Sequence, residues 1–125
     1  MTSVRAAPAW SRDSGMAAPL RMDSARDIAT AMVVRNVMGL PGGQLVCNPI
    51  PQADEIAAAD LAPIIAQALA DAEAKEISAK AVTPFLLDRI FTLTEGRSLT
   101  ANIALVRNNA RLAAAIAREM GGMPG

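Results

Sequence analysis

The chain has no histidine. That absence closes off His-based triads, His proton shuttles and every metal site built on an imidazole. Cysteine occurs once, as Cys47, so no internal disulfide can form, and its single use fits a reducing cytoplasm. Lysine occurs twice, as Lys75 and Lys80, in or just after an apparent surface helix, where both read as solvated charge. Neither sign of charge is in excess: 12 Lys and Arg balance 12 Asp and Glu. This excludes nucleic-acid binding by net charge and gives no acidic solvating tail. Long apolar runs are missing too. No stretch stays apolar for the roughly 20 residues a membrane span requires, and "MTSVRAAPAWSRDSG" lacks the apolar core of a signal peptide. The expectation is a soluble cytoplasmic protein with no nucleic-acid or membrane partner.

What is present is an apolar chain of one-domain size, 125 residues with 52% hydrophobic and 19% charged, enough to bury a core. Residues 1–8 show no periodicity and read as a disordered tail, after which "AWSRDSG" suggests a short edge strand running into a turn at Ser14-Gly15. "MDSARDIATAMVVRNVMGLPGG" reads as a helix capped by Asp23 or Ser24, with Asp27 in its first turn and Gly39 ending it. "GQLVCN" then suggests a buried strand stopped by Pro49 and Pro51, with Cys47 as a small buried strand residue.

From Asp54 the pattern is helical again, with Leu61, Ile64, Ile65, Ala68 and Leu69 on one face and Pro63 confined to the opening turns. Asp54 and Glu55 read as charge at a helix start rather than as a metal pair. "TPFLLDRIFTLTEGRS" predicts a helix with Thr83 as cap, Pro84 at the first helical position and Gly96 past the end. The last helix is predicted from Ser98 to about Glu119, with Leu99, Ile103, Val106, Ala110 and Ala113 as its apolar stripe. "GGMPG", residues 121–125, reads as a flexible C-terminus. Four helices and one or two short strands form an α/β set that looks incomplete, because a sheet usually needs at least three strands.

The last helix carries Asn102, Asn108 and Asn109 in an alanine-rich segment, although asparagine is a poor helix former. Asn102 and Asn109 share a side with Leu105 and Leu112, two turns or roughly 10 Å apart, and Asn108 points about 100° away. Each amide can read the edge of a planar heterocycle, or it can tie down neighbouring backbone.

"GLPGGQLVCNPIP", "KAVTPFLL", "GRSL" and "NIALVRNNARLAAAIA", in this order and spacing, resemble the C-terminal part of the pseudouridine-5′-phosphate glycosidase family; "SRDSG" and "RMDSARDIA" resemble the stretch just before it. On this resemblance, residues 9–120 form a partial domain of that kind. The resemblance implies the mostly helical C-terminal part of an α/β/α-type enzyme, trimeric and assisted by a divalent metal, manganese. Its reaction would be the reversible cleavage of the C–C glycosidic bond of pseudouridine 5′-phosphate to uracil and ribose 5-phosphate. It also implies a lysine that forms an imine-type adduct with the opened ribose, a glutamate that handles protons and an aspartate at the metal. No motif here matches those three. Asn102 alone matches an active-site position, which makes it the one candidate catalytic residue, while Asn108 and Asn109 are expected to serve structure.

The sequence departs from the family pattern at Ala57, where proline is usual, at Cys47, where alanine is, and at Ala79 and Glu95, where glycine is. A positive φ at Ala79 would cost about 1 kcal/mol or more. Two functional readings stay open: part of an enzyme completed by an upstream half, or a non-catalytic remnant acting as an oligomerisation or binding fragment. On either, the chain is expected to be inactive alone.

Overall fold

Ser24 opens the first helix: its Oγ accepts a hydrogen bond from the Asp27 amide at 3.1 Å and starts α1, Ala25–Val37. The computed structural model describes Trp10 and residues 18–124, so the predicted tail and all but one residue of "AWSRDSG" lie outside the described residues. After α1 come a 3-10 turn, Gln52–Asp54, and the helices α2, Ala58–Ala74, α3, Ala79–Leu93, and α4, Arg97–Gly121. Among the described residues there is no strand. "GQLVCN" has no ladder and is irregular chain, with Cys47 half-buried in it, and among the described residues no second strand is present for it to pair with. The predicted α/β character is therefore visible here only as its helical part.

Three helices end in the same way. Leu40 donates its amide to Arg35 O and Gly39 to Asn36 O; Ile77 donates to Ala72 O and Glu76 to Glu73 O; Gly96 donates to Phe91 O and Glu95 to Thr92 O. Each pair is a Schellman closure, which needs a left-handed residue just past the cap. Gly39 takes that position after α1 with φ 68°, but Glu76 takes it after α2 with φ 50° and Glu95 after α3 with φ 54°. The left-handed strain expected at Ala79 thus falls on Glu76. Ala79 is the first residue of α3, where its φ is helical.

One proline lies deeper in its helix than its sequence context suggests. Pro84 is the sixth residue of α3 and not its first, and Ser78, not Thr83, precedes the helix. Nothing in a helix forbids the run Ala79–Val82, so the helix extends upstream of proline and forgoes the one hydrogen bond that proline cannot donate. Pro63 does lie in the opening turns, as the sixth residue of α2, which begins at Ala58 and not at Asp54.

The helices pair as α1 on α4 and α2 on α3, with α3 and α4 joined through a tight corner at Thr94–Gly96. Buried Thr94 holds that corner: its Oγ1 donates to Ile90 O at 2.7 Å and accepts from the Ser98 amide at 3.1 Å. Between α2 and α3, Arg89 Nε meets Asp71 Oδ2 at 2.6 Å while Gln67 donates to the other carboxylate oxygen at 2.9 Å. Lys75 is also engaged, its ammonium lying 5.4 Å from the centre of the Phe85 ring.

The core is divided. Ile50, Ile56, Leu61 and Ala101 form one cluster, with Trp10, Ile65 and Leu105 packed against it. Ile28, Ala29 and Ile116 form another, joined by Met22, Met32, Leu112 and Met123. Among the described residues ten apolar side chains are buried, four of them alanines, while fourteen large ones stay exposed. The clusters seat the helices but leave much of their apolar surface uncovered.

Candidate functional site

The longest helix organises the candidate site. At about 100° per residue, Ser98, Ala101, Leu105, Asn108, Leu112 and Ile116 fall within one arc of about 80°. All six are buried or half-buried; Ala101, Leu105, Leu112 and Ile116 pack in the two clusters and Asn108 meets the irregular chain. Leu99, Ile103, Val106, Ala110 and Ala113 fall within a second arc whose centre is about 140° away. The apolar stripe anticipated from sequence is real as a pattern, but it is exposed: Leu99 is 51%, Ile103 44% and Val106 59% accessible. The helix buries the opposite face, where Ala101 packs with Ile50, Ile56 and Leu61 and Ser98 is tied to Thr94 at the α3–α4 corner.

The three asparagines divide between these surroundings. Asn108 Nδ2 donates to the Pro49 carbonyl at 3.2 Å. Asn109 Oδ1 accepts from Asn48 Nδ2 at 3.1 Å. Together they fasten "CNPIP" to the helix and deliver Ile50, which is fully buried, into the first cluster. Asn48 is the residue that the sequence reading passed over. Its signal was its place before Pro49, which has no amide hydrogen with which to join a backbone ladder.

Asn102 is exposed. It stands two turns before Asn109 on the same side of α4, about 60° from the midline of the uncovered stripe. Its amide offers two N–H donors and one carbonyl acceptor to whatever approaches that edge.

The other groups of the implied chemistry do not gather around it. Lys75 lies over Phe85, and Lys80 is exposed in the first turn of α3. Asp54 closes the 3-10 turn and Glu55 follows it. Among the described residues no three of Cys, Asp and Glu stand close enough to hold a metal ion. The described residues by themselves therefore do not supply the oxygen-rich donor set that manganese takes. No described helix is long and apolar enough to cross a membrane.

Residues 3–119 match the model of the family described as indigoidine synthase A like protein. The chain belongs to that family. Within it, the chain is 62% identical over 111 residues to the pseudouridine-5′-phosphate glycosidase of Jannaschia sp. (strain CCS1), a match covering 89% of this chain and 37% of the relative. It is 65% identical over 111 residues to the glycosidase of the same name from Roseobacter denitrificans, covering 36% of that protein. Among solved structures it superposes with a TM-score of 0.78 and 25% identity on the prealnumycin C-glycosynthase AlnA in complex with ribulose 5-phosphate, over 90% of this chain and 36% of that one. This member of the indigoidine synthase A-like family thus spans little more than a third of the length of the relatives it matches.

Proposed function

We propose that this chain is the Asn102-bearing part of a pseudouridine-5′-phosphate glycosidase, in which the amide orients the reacting substrate while groups outside this chain carry out bond cleavage. The observation that carries this reading is identity of 62–65% over 111 residues to proteins of that name. The C-glycosynthase with its bound pentose phosphate supports the same class of chemistry, a carbon–carbon link to a phosphorylated sugar. In the whole enzyme the helices would pack on a sheet, completing the α/β/α architecture in a cytoplasmic, trimeric, manganese-assisted enzyme. The metal's ligands would come from outside this chain.

A C–C glycosidic bond has no leaving-group oxygen to protonate, so a pair of carboxylates does not serve it. A lysine nucleophile with acid–base help does. Lysine, glutamate and aspartate of that kind fall to the remaining part of the enzyme. Asn102 contributes hydrogen bonds to the uracil edge or to the opened sugar.

The test has two arms. Purified alone and given pseudouridine 5′-phosphate with manganese, the 125-residue chain should release no uracil. Residues 9–119 grafted onto the remaining portion of the Jannaschia relative should release it at an enzymatic rate. An inactive graft that folds and assembles would favour the non-catalytic remnant instead.

A further inference from the structure

The fold leaves one face of α4 uncovered. Leu99, Ile103, Val106, Ala110 and Ala113 run along about 21 Å of helix, at 1.5 Å rise per residue, with none of the two clusters' residues among them. Polar residues do not interrupt the stripe. Arg107, Arg111 and Arg118 occupy the sector beyond it, away from the buried face. At the head of the helix the apolar surface continues to exposed Phe91, whose ring lies against Gly96: a Cβ at that glycine would stand 3.5 Å from it. An amphipathic helix normally buries one such stripe, whereas this helix has two, separated by about 140°.

Resting on the reading above, we infer that the Leu99–Ile103–Val106 stripe of α4 is the seat of the polypeptide corresponding to the unmatched length of the curated glycosidases, and that Asn102 lies at the seam between them. The occupant is indicated by length. Relatives at 62% and 65% identity carry this segment as only 37% and 36% of a longer chain. The superposed C-glycosynthase also has this fold as 36% of its chain. A helix with two apolar faces suits a position between two bodies, one provided by α1, α2 and the loop, the other by the remaining length. Asn102 stands between the two faces, so an occupant on the stripe would bring its own groups against the amide. That placement explains why one site residue is present here without companions.

The test is co-expression of the 125-residue chain with the portion of the Jannaschia relative that lies outside the match, each carrying a different tag. Light scattering should show a complex with equal numbers of the two chains, and it should lose the apolar-dye fluorescence of the free chain. Ile103→Asp with Val106→Asp should lower the yield of complex at least tenfold. Both positions are exposed, so circular dichroism of the free variant should be unchanged. Arg107→Ala with Arg111→Ala should leave the yield unaltered. The inference is overturned if no complex forms, if the complex forms equally well with the two aspartates, or if the chain pairs with itself through the stripe and leaves the co-expressed portion free. A stripe-dependent complex that releases no uracil would uphold the docking face and overturn the glycosidase reading.

Discussion

Asn48 and Asn109, 61 positions apart in sequence, meet through an amide–amide hydrogen bond of 3.1 Å. Asn108, the next residue, takes the Pro49 carbonyl at 3.2 Å, so two successive amides hold two successive loop residues. The loop's own backbone has no ladder to satisfy it, and Asn108 supplies to the Pro49 carbonyl the kind of bond that a neighbouring strand would.

Asn108→Ala should therefore destabilise the fold by about 1–2 kcal/mol, since it leaves a part-buried carbonyl without its donor. Asn109→Ala, which breaks a more exposed bond, should cost less than about 1 kcal/mol. Urea titration followed by circular dichroism, carried out in the graft with the Jannaschia portion, checks the order. Equal losses at the two positions would contradict it.

Asn102→Ala in the same graft should lower turnover on the order of 10²-fold while the melting temperature stays within about 1 °C of the parent, because an exposed amide contributes little to packing. Steady-state kinetics and thermal melts on the same preparation check it. Full activity in the variant would remove Asn102 from the site.

Glu95→Gly and Glu76→Gly should each stabilise the chain by up to about 1 kcal/mol, as the left-handed conformation penalises a Cβ and glycine removes that penalty at some cost in unfolded-state entropy. Gly96→Ala should do the reverse. Its φ of 82° is the obstacle and space is not, since the new methyl would make ordinary contact with the Phe91 ring at 3.5 Å. Denaturant midpoints decide both.

Asp71 carries a pH dependence. Hydrogen bonds from Arg89 and then Gln67 hold its carboxyl below the ordinary value of 3.8. A depressed carboxyl stabilises the fold in full above that ordinary value, and the contribution is lost as pH falls through the lower folded value. The melting temperature of Asp71→Asn should therefore lie below that of the parent near neutrality, and the gap should close on the acid side of 3.8. With both partners partly exposed, 34% and 23%, added salt should narrow it as well.

Local chemistry determined much from the sequence alone. Ser24 caps and Gly39 terminates α1 because an oxygen acceptor and a left-handed glycine act within a few residues of themselves. The four-helix count follows from periodicity in the same way, and the family follows from several long motifs kept in order. The start of α3 was less legible: Thr83-Pro84 has the form of a helix opening, but a proline also survives one turn further in when the residues before it are good helix formers. What tertiary structure alone decided is which face of α4 is inside. Leu99, Ile103 and Val106 make the more conspicuous stripe, yet hydropathy carries no information about which neighbour is present to cover it. Ala101, packed with Ile50, Ile56 and Leu61, and Asn108, fastening the loop, meet their partners on the other side, and close packing placed the core there. The predicted strand failed for the same reason. A strand exists only through the ladder of a partner, and a helix closes its hydrogen bonds within itself.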